Sequence, residues 1–164
     1  MSGRVVDIDV NPKDPTHFFV AYASGGLWET RNNGQSFVPL FDHEAVMTIG
    51  DIAVFWTDTS IWIGTGEVNS SRSSYSGVGI YHSSDKGKTW QHKGLVDSHH
   101  IGRIVLHPTD PEVAWVASLG PLYTEGGQRG VFHTHDAGAT WTHDLNTGVG
   151  AVDLVIHPQN PDIL

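Results

Sequence analysis

Carboxylates are the side chains of this sequence best suited to chemistry. Two carboxyl groups held roughly 5 to 9.5 Å apart can hydrolyse a glycosidic bond, one acting as the acid and the other as the base or nucleophile. The chain offers four candidates for such catalytic work, which are Asp7, Asp51, Glu67 and Asp153.

Two short segments place several charges at one position of a repeated unit. Ile49–Ile52 (Ile-Gly-Asp-Ile) matches Ile101–Ile104 (Ile-Gly-Arg-Ile), so Asp51 and Arg103 share a register. The spacing of the prolines, described below, aligns Asp7 and Asp153 with the same position of the repeated unit. Charges crowded there would shift one another's pKa values and bind a polar ligand or a cation, or they would line a water-filled channel as solvated groups.

A Gly- and Ser-rich segment, residues 64–77, carries side chains that suit hydrogen bonding and stacking on a sugar or a peptide. The alternative is a solvated surface loop. Together with residues of the neighbouring loops, the candidate ligand-binding residues are Glu67, Asn69, Arg72, Tyr75, Asp97, His99, Arg103 and Arg129.

A metal site is not expected, although His99 and His100 follow an aspartate at 97. Adjacent residues of a strand point to opposite sides, so this pair does not readily bind one ion. The matching positions of the preceding repeat are Met47 and Thr48, so the repeat does not require imidazole there. We expect neither a metal nor another cofactor.

Three segments share one pattern, which we call the Asp-Gly turn: 30–37, 83–90 and 134–141, with glycines 53 and 51 residues apart. The aspartate is expected to accept hydrogen bonds from backbone N–H groups two residues on, the glycine to adopt positive φ, and the aromatic residue to pack between sheets. The residues with these structural roles are Asn32, Gly34, Phe37, Asp85, Gly87, Trp90, Asp136, Gly138 and Trp141.

A proline-containing turn repeats with a period near 50, at Val10–Pro15, Leu106–Pro111 and Ile156–Pro161, and Val54–Asp58 is a degenerate copy without the prolines. Between these turns lie short β-branched runs, four to each unit of about 50 residues. This repeated order of strands and turns predicts an all-β protein, a β-propeller of four-stranded antiparallel blades. The blades are expected at about 1–41, 42–92 and 93–145, with the first strand of a fourth at 146–164.

Blade topology separates short turns from long loops. In an up-and-down blade, the proline-containing turns and the Asp-Gly turns lie on one side, here named the turn face. The connections between second and third strands and between blades lie on the other, the loop face. Long, varied loops are typical of binding surfaces, so we expect function on the loop face.

The Asp-Gly turn resembles the Asp-box of BNR-repeat proteins, which include sialidases, xyloglucanase-type glycosidases and sortilin-type receptors. Segments 2–8, 24–28, 64–67 and 79–85 resemble secreted bacterial propellers described as sortilin-like or as BNR glycosyl hydrolases. The resemblance spans nearly the whole chain and implies a propeller that is secreted or periplasmic. Xyloglucanase-type relatives carry an aspartate where this chain has Ser24, and no sialidase N-terminal motif surrounds Arg4.

Composition excludes several classes of protein. The formal charge of −9, with only 9 Lys and Arg, argues against nucleic-acid binding. No apolar run is long enough to cross a bilayer, and the absence of cysteine excludes disulfides and thiol catalysis. Three blades and a fraction cannot close a ring, so the partners are further blades of a longer chain or other copies of this one.

Two functional hypotheses follow from these patterns. The first is a propeller fragment outside the cytoplasm that binds a glycan or a peptide on its loop face. The alternative is a glycoside hydrolase that works through paired carboxylates.

Overall fold

The computed structural model describes residues 3–69, 72, 74–157 and 159–164. Of the segments discussed above, Ser2, Ser70, Ser71, Ser73 and Pro158 lie outside the described residues. Twelve strands form within this part of the chain, with one short 3-10 helix at Val96–Ser98. The strands are β1 (Val5–Val10), β2 (Phe18–Tyr22), β3 (Gly26–Thr30), β4 (Val38–Pro39), β5 (Ile49–Phe55), β6 (Ser60–Thr65), β7 (Ile80–Ser83), β8 (Gln91–His92), β9 (Ile101–Leu106), β10 (Ala114–Ser118), β11 (Gly130–Thr134) and β12 (Thr142–Leu145).

The strands form three four-stranded antiparallel sheets in which neighbours in sequence are neighbours in space. The first sheet is β1 to β4, the second β5 to β8 and the third β9 to β12. The fold is therefore all-β, as the sequence predicts. Within the described residues, no helix is both long and apolar enough to cross a membrane.

The proline-containing turns share one backbone pattern. In the segments 11–17, 107–113 and 157–163, the first N–H donates to the last carbonyl over 3.0, 3.0 and 2.9 Å. The turn at 157–163 closes in the same way, although the described residues before it, from 146 on, form no β-strand. This turn is therefore a local property of its sequence.

The Asp-Gly turns differ from expectation in one detail. Asp85 Oδ1 accepts from the backbone N–H of Thr89, four residues on, over 2.9 Å, and not from the residue two positions on. The Ser83 hydroxyl accepts from the N–H of Gly87 over 2.8 Å. Two consecutive residues, Lys86 and Gly87, have positive φ (67° and 79°). The tight reversal at these two residues brings the fourth residue, rather than the second, back to the carboxylate.

The other two Asp-Gly turns repeat this arrangement. Asp136 Oδ1 accepts from the N–H of Thr140 over 2.8 Å, and Asn32 Oδ1 accepts from that of Ser36 over 3.0 Å. Gly34 and Gly138 have φ of 80° and 76°. An amide oxygen thus replaces the carboxylate oxygen without changing the turn.

Aromatic residues of these turns connect each sheet to the preceding one. Trp90 donates from its indole N–H to the Leu40 carbonyl over 2.8 Å, and Trp141 donates to the Lys93 carbonyl over 2.6 Å. Phe37, in the first sheet, is half-buried and contacts Phe18 of the same sheet.

Two apolar cores hold the three sheets side by side, with β1, β5 and β9 as neighbouring inner strands. The first interface, between the first and second sheets, buries Phe19, Leu27, Phe41, Ile63 and Tyr81 among others. The second interface, between the second and third sheets, buries Trp62, Ile80, Ile101, Val116 and Phe132 among others.

The expected first strand of a fourth blade is not a strand. Residues 146–164 contain no β-strand among those described. A ladder needs an antiparallel partner, which β1, β5 and β9 each find in the strand that follows them. The segment nevertheless lies against the third sheet, because the Ala151 N–H donates to the Ser118 carbonyl over 2.9 Å.

Candidate functional site

Four charged residues meet on the loop face, and we call them the charge cluster: Asp7, Asp51, Arg103 and Asp153. The first three lie in β1, β5 and β9, and the fourth lies in the segment after β12. Arg103 bonds Asp51 through Nη1 over 3.2 Å and Asp153 through Nε over 2.9 Å. The structure thus brings together the residues that the repeat register aligns.

The aspartates of this cluster also link neighbouring sheets. Asp51 Oδ2 accepts from the backbone N–H of Ile104 over 2.6 Å, and Asp7 Oδ2 accepts from that of Ile52 over 3.4 Å. Each carboxylate therefore satisfies a donor on the inner edge of the next sheet. Asp51 is only 3% exposed, so the expectation of solvated charges lining a water-filled channel is wrong for this residue.

Burial separates the pKa values of the two aspartates that bond Arg103. Desolvation raises the pKa of Asp51 to about 8, and the charge of Asp7 adds to this effect. The Ile104 N–H and the Arg103 guanidinium oppose the rise without reversing it. The pKa of Asp153, an exposed residue, is lowered by its hydrogen bond from Arg103.

Glu67 is a buried ion-pair partner and not an exposed loop residue. Its side chain is 1% exposed, Arg4 Nη2 lies 2.8 Å from Oε1, and the Ser74 hydroxyl donates to Oε2 over 2.6 Å. Burial acts to raise the pKa of Glu67, but the bonds from Ser74 and Arg4 outweigh it and the pKa is lowered. Its carboxylate connects residue 4 with the loop after β6.

A recess of about 200 Å³ opens beside the charge cluster on the loop face. Its polar lining residues are Asp51, Glu67, Asn69, Arg103 and Asp153. Hydrogen-bond acceptors, an amide and one guanidinium converge there, a combination that suits hydroxyl or amide groups of a ligand.

Arg129 has a local role that the sequence did not predict. Its guanidinium donates to the carbonyls of Leu119 over 2.6 Å and Pro121 over 2.5 Å, and its Nε donates to that of Gly126 over 2.8 Å. A further bond reaches the Thr124 carbonyl. Because these carbonyls occupy its donors, Arg129 closes its own loop instead of presenting a cation to a ligand.

The remaining candidates lie apart from the charge cluster. Tyr75 is 60% exposed, and Arg72 is also exposed. Asp97 pairs its backbone with Gln128 beneath the third-sheet loop. His99 is half-buried and lines a separate groove of about 280 Å³.

His99 and His100 point into different surroundings. His100 is buried, and its Nδ1 lies 2.9 Å from the Glu67 carbonyl oxygen; burial lowers its pKa. Across the described ranges, no group of three or more His, Asp or Glu side chains could hold a metal ion.

Sequence reasoning missed Asp9, which also links the first two sheets. It accepts from the Val54 N–H over 2.9 Å and from the Trp56 indole N–H over 2.6 Å. The alternation Asp7-Ile8-Asp9 in a first strand was the available signal, because residues two apart face the same side.

Comparison with known proteins adds the ring architecture. No protein-family model matches the chain, and no curated protein matches it. The solved structures similar to it include a GH74 enzyme of Niastella koreensis, with a TM-score of 0.61, 22% identity and coverage of 82% of this chain. They also include the GH74 xyloglucanase of Xanthomonas campestris, with a TM-score of 0.60, 18% identity and coverage of 87% of this chain. A third is YCF48 bound to the D1 peptide, with a TM-score of 0.57, 17% identity and coverage of 85%.

The chain folds as part of a β-propeller. Its three sheets are blades, stacked side by side as in those proteins. The chain spans 20% and 21% of the length of the two GH74 enzymes and 40% of YCF48.

Proposed function

We propose that the chain is part of a BNR-type propeller located outside the cytoplasm, secreted or periplasmic, that binds a glycan or a peptide on its loop face. The observation that carries this proposal is the recess beside the charge cluster. There, Asn69, Arg103 and Asp153 present an amide, a cation and an exposed carboxylate within one concavity.

The occupation of the candidate acids favours binding over catalysis. Both oxygens of Asp51 accept hydrogen bonds, and Glu67 is held by its ion pair with Arg4 and by the hydrogen bond from Ser74. Asp7 bonds the backbone of residues 8 and 52. Carboxylates committed to joining sheets are poorly placed to transfer protons to a substrate.

The similar propellers support both ligand classes. One is a xyloglucanase, and another was solved with a bound peptide. These likenesses suggest a xyloglucan oligosaccharide and the D1 peptide as the first two probes.

Calorimetric titration of the chain with each probe tests the proposal. Saturable binding of one probe is expected, weakened about tenfold by Asn69→Ala, the loss of roughly one good contact. Lys13→Ala, an exposed change on the turn face, is the matched control and should bind normally. Absence of binding by both probes, or equal binding by all variants, would contradict the proposal.

A glycoside hydrolase is the second candidate, favoured by one observation. Asp51 has a raised pKa and Asp153 a lowered one, and environments that push two carboxyl pKa values apart are typical of acid–base pairs. Release of reducing ends from xyloglucan, lost in Asp51→Asn and in Asp153→Asn while binding persists, is expected of that activity. Hydrolysis unchanged by both substitutions would eliminate this pair.

A further inference from the structure

The second interface contains three buried polar atoms that no other group satisfies. Among the described residues, Ser60 Oγ, Trp62 Nε1 and His82 Nε2 have no hydrogen-bond partner. The three residues are 3%, 0% and 8% exposed. Buried polar atoms are normally paired, and leaving one unpaired costs roughly 1–3 kcal/mol.

These three residues lie on one face of the second sheet. Trp62 is paired with His82 across β6 and β7, and their rings lie 4.4 Å apart. Ser60 is two residues before Trp62 and therefore points to the same side. That side faces the third sheet, because Trp62 and Ile104 belong to the same core cluster.

A recess of about 270 Å³ opens at this point on the turn face, opposite the charge cluster. Ser60, His82 and Gln91 contribute to its wall. Its rim carries charges of both signs, at Asp58, Lys93 and Glu112.

The equivalent place in the first interface is fully paired. Phe18 and Ile61 both pair with the first residue of an Asp-Gly turn, so the residues that precede them, His17 and Ser60, are equivalent. His17 bonds Glu29 over 2.7 Å, and Glu29 also bonds Arg31 over 2.6 Å. The blade fold therefore does not require unpaired polar atoms at these positions.

We propose that the turn-face recess between the second and third sheets binds a neutral, hydroxyl-bearing molecule about as large as a monosaccharide. This site is separate from the loop face, and the proposal does not depend on the function proposed above.

The chemistry of the recess favours a neutral ligand. Ser60 and Gln91 carry no charge, and burial lowers the pKa of His82 to about 4, so its imidazole is neutral at pH 7. The rim offers one cation and two carboxylates, which give neither anions nor cations a uniform environment.

The groups of the recess match a hydroxyl in particular. A serine hydroxyl and a neutral imidazole both donate and accept. Ser60 and His82 line the recess and Trp62 does not, so a ligand hydroxyl can pair with the first two. Both side chains form part of the wall of the recess, and the hydrogen of the Ser60 hydroxyl can rotate to suit its partner.

NMR titration of the chain with D-glucose, D-xylose and cellobiose tests the proposal through the histidine ring signals. A saturable shift confined to His82 is expected with at least one sugar, and the affinity measured from this shift should be about tenfold weaker in Ser60→Ala and in Glu112→Gln. Glu112→Gln is an exposed change, so it separates loss of binding from loss of folding. His135→Phe, at an exposed site outside the recess, is the matched control.

The sugars distinguish two sources of the same chemistry. Binding of the monosaccharides alone indicates a free sugar, whereas stronger binding of cellobiose indicates the end of a glycan chain. No shift at His82 with any sugar, or a larger shift with acetate or ammonium ions than with the sugars, would overturn the proposal.

Discussion

At the first interface Trp56 lies over His17 and Phe19, with ring centroids 5.0 and 5.4 Å apart, and donates to Asp9. The strand pairing shows which residues are equivalent in the next blade along the chain. At the second interface, Pro108 occupies the position of Trp56, and Ala53 occupies the position of Asp9. The first interface is thus covered by an aromatic ring and a carboxylate, whereas the second lacks both and opens into the turn-face recess.

This difference shows how a repeated unit diverges without changing its fold. The apolar positions, the Asp-Gly turns and the turns at 11–17 and 107–113 are alike on both sides. The polar positions between sheets vary independently, because the ladder within each blade does not depend on them. Function is therefore to be sought where pairing between blades is incomplete.

The largest expected effect concerns the aromatic cover of the first interface. Trp56→Ala removes contacts with His17 and Phe19 and leaves Asp9 without its indole donor, so the free energy of unfolding should fall by about 3 kcal/mol. Trp115→Ala is the comparison, because Trp115 is half-buried and stacks on His107 outside both apolar cores. Urea denaturation should give a clearly smaller loss there; equal losses would argue against a special role for Trp56.

A second prediction uses the buried carboxyl that joins the second and third sheets. The pKa of Asp51 is about 8 in the folded protein and near 4 when unfolded, so the folded state binds the extra proton between these values. Stability contributed by this proton is complete below about pH 4 and is lost as the pH rises through 8. Thermal unfolding of Asp51→Asn should lack this loss.

Asp153→Asn is the control for that pH profile, because the lowered pKa of Asp153 has the opposite sign. Its contribution is present above the unfolded pKa and is lost as the pH falls. Removing it should leave the alkaline loss of stability intact. A wild-type melting temperature that rises between pH 5 and 8 while that of Asp51→Asn does not would contradict the assignment.

The smallest expected effect lies in the Asp-Gly turns, which are the same in both interfaces. Asp85→Asn should change the melting temperature only slightly, because Asn32 already forms the same turn with an amide oxygen. Asp85→Ala should lower it more, because the Thr89 N–H loses its acceptor. Similar melting temperatures for both variants would show that the side-chain oxygen contributes nothing.

Repetition explains why much of the fold could be predicted from the sequence. Glycines 34, 87 and 138 lie 53 and 51 residues apart, and this repeat assigns each residue between them a position in a blade. The same register aligns Asp51 with Arg103, which form an ion pair in the structure. Contacts that depend on this alignment alone can therefore be predicted from the sequence.

The burial of individual side chains and their local pairing could not be predicted from the repeat. Glu67 and Arg129 lie in Gly-rich loops that suggest exposed binding residues, but Arg4 and a set of loop carbonyls hold them. The unpaired atoms at Ser60 and His82 carry no sequence signal, because pairing depends on which neighbours another blade brings near. The segment expected to form a strand after residue 146 forms none among the described residues, because a β-ladder needs a second strand as its partner.

Unfolding of His17→Phe and His82→Phe tests the contrast between the interfaces most directly. His17 is paired with Glu29, so His17→Phe should lower the free energy of unfolding by about 2 kcal/mol, whereas His82→Phe removes an unpaired nitrogen and should cause no loss. Equal losses, or a larger loss for His82→Phe, would contradict the account of a paired first interface and an unpaired second one.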